Sequence, residues 1–180
     1  LLRGINVSGH KIITMDALRR MYESLNFKNP RTYIQSGNVI FQFTKTNHGN
    51  LEKKIAMSIV EEFGFEVPVV VKDLAELTDA LNQNPFVNKR KLDVAKLHVT
   101  FLSREPDLAS VDEIKSRQYA SDEFILSGRI VYLFCPDGYG RTTLNNNFFE
   151  RKLNVNATTR NWKTLEALVI IAEGISGNAD

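Results

Sequence analysis

Two stretches of the sequence decide its fold class: RTYIQSGNVIF at 31–41 and DEFILSGRIVYLF at 122–134. Each carries β-branched and aromatic residues on both sides of a Ser-Gly pair, which is typical of a β-hairpin. Glycine suits the bend because it adopts positive φ at no steric cost. When position 33 is aligned with position 124, four pairs are identical: Ile34/Ile125, Ser36/Ser127, Gly37/Gly128 and Phe43/Phe134.

A second match at nearly the same spacing favours an internal repeat. VKDLAEL at 71–77 and TRNWKTL at 159–165 share a basic residue, an Asx cap, an apolar position and a final leucine. The alternative is that two hairpins share turn chemistry by chance, but both matches fall in the same order of elements. The sequence therefore predicts an α+β protein, a tandem duplication of a ferredoxin-like β-α-β-β-α-β unit, each copy with an extra C-terminal helix.

The domain boundaries follow from that order. We expect a first repeat at 1–86, a linker at 87–95 and a second repeat at 96–180. Hydrophobic periodicity predicts helices over 14–25, 50–64, 73–81, 107–119, 143–153 and 161–174. The expected N-caps are Thr14, Asn50 and Asn161, and the expected helix-ending glycines are Gly64 and Gly174.

The composition is that of an ordinary globular protein. Of the 180 residues, 43% are hydrophobic and 24% are charged, and the net charge is +2. Cys135 is the single cysteine, so no intramolecular disulfide can form, and we expect a reducing, cytoplasmic setting. The longest apolar run, ALVIIA at 167–172, is far too short to cross a bilayer, so we expect no membrane association.

Three separated motifs resemble one known family. LLRGINVSG at the start, RTYIQSGNVIF, and ATTRNWKTL near the end are similar to the bacterial domain-of-unknown-function family numbered 1697. The resemblance covers essentially the whole chain, and it implies a duplicated ferredoxin-like α+β fold. It implies no established activity.

Polar residues interrupt the first predicted strand. Arg3, Gly4 and Asn6 break a segment that is otherwise apolar, and its counterpart around His98 is a plainer strand. Burying Arg3 or Asn6 without partners would be costly, so we expect both to line a wet cleft or to be paired.

The start of the last helix shows the second asymmetry between the repeats. Asn161 is a neutral cap where the first repeat has Asp73, and Thr159 and Arg160 precede it. A helix N-terminus with a neighbouring arginine is receptive to an anion. The alternative is that this segment merely caps the helix while Arg160 pairs with a nearby acid.

The hairpin faces follow from the assumed bend. A two-residue bend at Ser36-Gly37 puts Phe41 and Phe43 beneath the helices, together with Tyr132 and Phe134 of the second hairpin. Gln35, Asn38 and Gln42 then share the open face with Tyr33. In the second repeat the open face would be apolar and would pack against the other repeat or another subunit, so that a homodimer is one expected outcome; its residues are Phe124, Leu126, Val131 and Leu133.

The first functional hypothesis is binding of a small anionic ligand, phosphorylated or nucleotide-like, in a cleft between the repeats. The predicted ligand-binding residues are Arg3, Gly4, Asn6, Gln35, Asn38, Thr159, Arg160 and Asn161. The main alternative is a protein-interaction or assembly module whose polar motifs only hold the repeats together. No nucleophile, catalytic base or cofactor motif stands out, so the sequence leaves open whether the protein is an enzyme.

Two further binding chemistries are less favoured by the sequence. Nucleic acid could contact Lys89, Arg90 and Lys91, but the first hairpin offers only Tyr33 as an aromatic on its open face, so nucleic-acid binding is not expected. His10, His48 and His98 are not at metal-ligand spacing with Cys135, so we predict no metal site and no cofactor.

Overall fold

The computed structural model describes residues 1–44 and 47–176. The protein is of the α+β type, with an antiparallel two-stranded sheet and an antiparallel four-stranded sheet. The chain forms two compact units: a first unit of residues 1–74 together with the chain from Ala167 onward, and a second unit of Ala75–Glu166. The predicted boundaries at 86 and 96 stay a prediction.

The first unit contains a helix, a hairpin and a second helix. They are α1 (Met15–Ser24), β1 (Lys28–Tyr33), β2 (Asn38–Gln42) and α2 (His48–Phe63). The expected strands at either end of this unit are reduced to a single antiparallel bridge between Leu2 and Val69. Since the Leu2 N–H also donates to the Gly37 carbonyl at 2.8 Å, Leu2 lies between the hairpin and Val69.

Gly37 allows this close approach of the chain start to the hairpin. A Cβ built at Gly37, whose φ is 76°, would lie 2.6 Å from Leu2 Cβ. Leu2 is fully buried in a core with residues of both helices, among them Leu18, Ile55 and Ile59. The tight contact therefore fixes the start of the chain on the core.

The second unit is a four-stranded sheet with the order β4-β5-β3-β6. Its helices are α3 (Leu74–Asn82), which begins one residue before the unit does, α4 (Pro85–Asn88), α5 (Leu108–Lys115) and α6 (Asn146–Leu153). Its strands are β3 (Leu97–Leu102), β4 (Glu123–Ser127), β5 (Ile130–Phe134) and β6 (Ala157–Asn161). After β6 the chain enters α7 (Trp162–Ser176). Strand, helix, hairpin, helix and strand thus follow one another in the order read from the sequence.

The helix caps are mostly those expected. The Thr14 hydroxyl accepts from the Ala17 N–H, the Asn161 side chain accepts from the Thr164 N–H, and Gly64 ends α2 in the left-handed conformation. The Asn50 cap was wrong, because α2 begins two residues earlier and Asn47 accepts from the Gly49 N–H. The last helix ends near Gly174, as expected, and reaches Ser176.

The two hairpins do not share one bend, contrary to expectation. Tyr33 pairs with Asn38, so the first loop has four residues, 34–37, rather than the two assumed at Ser36-Gly37. The buried Asn38 side chain holds this longer loop by donating to the Tyr33 carbonyl at 3.1 Å and the Ser36 hydroxyl at 2.9 Å. In the second hairpin Ser127 pairs with Ile130, which leaves a two-residue bend.

The predicted faces of the second hairpin were inverted. Val131 and Leu133 lie in a core with residues of α5 and α6, so the face expected to be open is covered by helices of its own unit. Tyr132 is also buried, but on the opposite face of the sheet. Phe134 shares that opposite face, and its ring lies 6.2 Å from the ring of Phe86 in α4.

In the first hairpin one predicted burial was wrong. Phe43 is 42% exposed, because β2 ends at Gln42; its ring lies 4.9 Å from the ring of Phe27 and 5.6 Å from the Lys54 ammonium. Phe41 packs against the core as expected, and Gln35 is exposed. Gln42 is half-buried and donates to the Ile175 carbonyl.

Candidate functional site

The eight predicted ligand-binding residues fall into two groups. Five lie in the first unit: Arg3, Gly4, Asn6, Gln35 and Asn38. Thr159, Arg160 and Asn161 lie in the second unit, on β6. Each group is described by itself, and the expectation that Arg3 and Arg160 share one cleft stays a prediction.

Asn6 joins two loops of the first unit. Its amide nitrogen donates to the Ile13 carbonyl at 2.9 Å and to the Gln35 carbonyl at 3.0 Å, and its side-chain oxygen accepts from the Ile13 N–H at 2.9 Å. One side chain therefore closes the loop at 4–13 and ties it to the hairpin loop. We call these two segments, residues 3–13 and 34–37, the first-unit loop surface.

The main chain of this surface is strained. Gly4 (φ 73°), Gly9 (φ 77°) and Asn6 (φ 55°) tolerate positive φ, but the surface also has three residues for which this conformation is unfavourable: Ser8 (φ 50°), Lys11 (φ 49°) and Ile34 (φ 48°). Ile34 is the most unusual, because its β-branched side chain makes the left-handed region especially costly. Strain concentrated in one exposed surface is typical of a functional site.

The side chains of the first-unit loop surface combine cations with exposed aliphatic groups. Arg3 is half-buried, and His10 and Lys11 are exposed. The Lys11 ammonium donates to the Glu66 main-chain carbonyl at 2.6 Å. Three aliphatic side chains next to the residues that Asn6 joins are more than half exposed: Val7, Ile12 and Ile34.

The sequence around this surface contains no carboxylates. Residues 1–15 and 26–51 include no Asp or Glu, while they carry Arg3, Lys11, Lys28, Arg31 and Lys45. This signal was present in the sequence but was missed, because the overall charge of +2 conceals it. A locally positive surface attracts anionic groups.

In the second unit, the side chains of Thr159 and Asn161 form hydrogen bonds within the unit itself. The Thr159 hydroxyl forms a 2.7 Å hydrogen bond with that of Thr100 on the neighbouring strand, and it donates to Asn146 Oδ1 of α6 at 2.7 Å. Asn161 caps α7 through the Thr164 N–H at 2.8 Å. The alternative reading of this segment as a helix cap therefore holds for Asn161.

Arg160 is almost fully buried, with 8% of its surface exposed. One of its nitrogens, Nη1, donates to the Thr158 hydroxyl at 2.9 Å and to the Thr159 carbonyl at 2.8 Å. Burial lowers the pKa of Arg160 to about 10, because the charged guanidinium loses solvation. It stays protonated at neutral pH and forms part of the packed second unit.

His98 is packed within the second unit. It is half-buried on β3, and its ring stacks on that of Tyr139 at 4.7 Å with an interplanar angle of 23°. Burial lowers its pKa, so the imidazole is neutral at pH 7. In the first unit, His48 lies 4.0 Å from the Asp73 carboxylate. The absence of a metal site stays a prediction.

Comparisons with known proteins bear on the fold and the family. The model of a family described as "Protein of unknown function (DUF1697)" matches residues 1–132. The solved structure of a conserved bacterial protein, SP0830 from Streptococcus pneumoniae, is similar with a TM-score of 0.70 and 22% identity, over 96% of each chain. No functionally curated protein shows significant sequence similarity to the chain. Among the described residues, no helix is both long and apolar enough to span a membrane.

Proposed function

Because the chain belongs to the DUF1697 family of proteins of unknown function, we propose a function from its own geometry: binding of a small anionic ligand at the first-unit loop surface. The ligand class is a phosphorylated or nucleotide-like molecule. Arg3 is the principal cation in this proposal, since its planar guanidinium binds phosphate or carboxylate through two hydrogen bonds. Gly4 leaves the main chain open to the ligand, because nothing lies within 4 Å of a Cβ built there.

The observation that carries the proposal is the strained main chain of this surface, which the hydrogen bonds of the Asn6 side chain hold in place. Holding Ser8, Lys11 and Ile34 at positive φ costs on the order of 1 kcal/mol each. Asn6 supports this conformation through hydrogen bonds to Ile13 and Gln35. A rigid loop binds its ligand with little ordering cost, which is the advantage that such strain offers.

Charge supports the same ligand class. The two stretches of sequence that contribute the loops are free of carboxylates, so the local potential favours an anion. Asn6 and Asn38 support the surface as structural residues, because their amides are engaged within it. A separate hypothesis is that the anionic ligand is bound by Thr159, Arg160 and Asn161. Arg160→Ala tests this hypothesis, because it should then weaken anion binding.

The test is a calorimetric titration of the protein with inorganic phosphate and with adenosine monophosphate. Arg3→Ala removes a charge-assisted pair of hydrogen bonds, so it should weaken binding by at least about tenfold. The matched control is Arg20→Ala, which removes an exposed arginine from α1 and should change affinity less than about twofold. Equal effects of the two variants, or no binding of either probe, would contradict the proposal.

A second candidate function is a protein-interaction module. It is favoured by the three exposed aliphatic side chains Val7, Ile12 and Ile34, which a small phosphate would not cover. Ile12→Ser separates the two functions, because it leaves the cations unchanged. Small-anion affinity should survive this substitution, whereas binding of a protein partner should be lost. Nucleic-acid binding stays disfavoured, and a strong salt dependence of binding would be needed to support it.

The evolutionary and cellular setting is part of the proposal. Duplication of a ferredoxin-like unit is supported by the order of elements in both units and by the strand order of the second sheet, in which β3, the first strand, is central. A cytoplasmic setting is supported by the single buried thiol, Cys135, and a bacterial origin by the similarity to the conserved bacterial protein SP0830. Burial raises the pKa of this thiol to about 11, so it is unreactive at neutral pH.

A further inference from the structure

The sheet edges of the protein are protected to very different degrees. In the first unit, β1 contains Pro30, which has no N–H to offer, and its register shifts between Lys28 and Arg31. Beyond the bridge at Val69, the N–H of Val71 is satisfied by the Glu52 carboxylate at 2.9 Å. Proline, irregular register and side-chain capping all discourage the addition of another strand.

In the second unit, the edge at β6 is also protected. The Ala157 N–H donates to the Glu150 carboxylate at 3.1 Å, and the Thr159 carbonyl accepts from Arg160 at 2.8 Å. Side chains thus occupy two of the main-chain groups that a further strand would need. The hydrogen bond to the Thr159 carbonyl therefore gives the buried Arg160 a structural role in protecting this edge.

The edge at β4 has no such protection. Its sequence, EFILS, contains neither proline nor lysine, and in the part of the chain that the structure describes β4 pairs with β5 alone. Ser127 and Ile130 close a two-residue bend, and the alternation of an antiparallel ladder then turns the N–H and C=O groups of Phe124 and Leu126 away from β5. Within residues 1–44 and 47–176, neither residue has a hydrogen bond on that side.

We propose that β4 pairs antiparallel with β4 of a second copy of this chain. Centring the pairing on Ile125 sets Phe124 opposite the second copy's Leu126, and the reverse. Both pairs use the outward groups, so four main-chain hydrogen bonds form between the copies. Ile125, which is 39% exposed, meets its own counterpart on the two-fold axis and becomes covered.

The charges around β4 are compatible with self-pairing. Glu123, at the start of the strand, comes to lie opposite the second copy's Ser127 rather than opposite another acid. Its carboxylate is paired with Arg90 at 3.0 Å, and Arg129 at the bend is paired with Glu76 at 3.1 Å. Antiparallel pairing brings the acidic end of each strand toward the basic bend of the other. Like charges are therefore not opposed across the interface.

Site-specific cross-linking tests the register directly. Ile125→Cys places two thiols on the two-fold axis, where the Cα atoms of a non-hydrogen-bonded pair are about 4.5 Å apart, within disulfide range. Ser127→Cys is the matched control, because its counterpart in the dimer lies four residues further along the strands. Mild oxidation should give a covalent dimer at least about tenfold faster for Ile125→Cys. The native Cys135 is buried and should not contribute.

Two outcomes would overturn the proposal. One is equal cross-linking of the two variants, which would indicate random collision. The other comes from hydrogen exchange of the unmodified protein: the amides of Phe124 and Leu126 should become protected as concentration rises, and Ile125→Lys should abolish that protection. Fast exchange of both amides in a protein that stays monomeric would show that β4 is open or awaits a different strand.

Discussion

The polar loops of the first unit and the polar strand β6 of the second unit were both predicted to bind a ligand because of their polar residues. The structure shows that these polar residues have different surroundings in the two units. In the second unit, Thr159 and Asn161 satisfy groups of their own unit, and Arg160 is buried beside them. In the first unit, Asn6 also bonds internally, but the loops that it holds remain exposed and strained. The difference teaches that a polar motif points to function only when something beyond its own hydrogen bonds is left to explain.

The largest expected effect comes from breaking the support of the first-unit loops. Asn6→Ala removes three side-chain hydrogen bonds and puts alanine at φ 55°, so the free energy of unfolding should fall by about 3 kcal/mol. Urea denaturation measures this loss. Asn50→Ala is the control, because Asn50 is exposed within α2 and should change stability by less than about 0.5 kcal/mol. A loss below about 1 kcal/mol for Asn6→Ala would show that the loops do not depend on it.

A comparison of the two hairpins gives the next effect. Gly37→Ala forces a Cβ to 2.6 Å from Leu2 Cβ at φ 76°, and should cost about 2–3 kcal/mol. Gly128→Ala also requires positive φ, but nothing lies within 4 Å of its added Cβ, so it should cost only about 1 kcal/mol. Thermal unfolding measures both. Equal losses would mean that the contact with Leu2 is not what sets the first hairpin apart.

One part of the pH dependence of stability should come from His98 in the second unit. Because burial lowers the folded-state pKa of His98, the unfolded chain binds the proton more readily, and stability should fall as pH drops below about 6.5 toward that lowered pKa. His98→Phe should remove this part of the pH dependence between pH 7 and 5.5. Asn50→Ala serves as the control, since it changes no titratable group and should leave the profile unchanged. An unaltered profile in His98→Phe would contradict the assignment.

The smallest expected effect is a gain in stability rather than a loss. Ile34→Asn replaces an exposed β-branched residue at φ 48° with one that tolerates this conformation, so the free protein should gain about 0.5–1 kcal/mol. Chemical denaturation measures the gain. The same substitution at Ile125, which lies in a regular strand, should bring no gain. A destabilised Ile34→Asn would show that Ile34 is held by packing rather than kept under strain for a function.

The sequence predicted elements better than it predicted their exact surroundings. Hydrophobic spacing located the helices, and the caps at Thr14 and Asn161 were confirmed because capping depends on local chemistry. The bend of the first hairpin was wrong, because a long-range contact of Leu2 with Gly37 and the buried amide of Asn38 set the loop length. No local pattern encodes such contacts.

The candidate site was predictable only in part. The sequence indicated Arg3, Gly4 and Asn6, because they interrupt an apolar segment. It did not indicate the backbone strain at Ser8, Lys11 and Ile34, since serine, lysine and isoleucine are not residue types that predict positive φ. Thr159, Arg160 and Asn161 stood out by composition alone. Their internal hydrogen bonds depend on α6 and on β3, which approach them only in the folded chain.

The measurement that tests the central claim most directly is an NMR titration of the main-chain amides with inorganic phosphate. Binding at the first-unit loop surface should shift the amides of Gly4, Gly9 and Ser36 in a saturable manner, and Arg3→Ala should abolish these shifts. The amides of Thr159 and Thr164 serve as the internal comparison and should stay in place. Saturable shifts centred on Thr159 and Thr164, with Gly4 and Ser36 unmoved, would contradict the account.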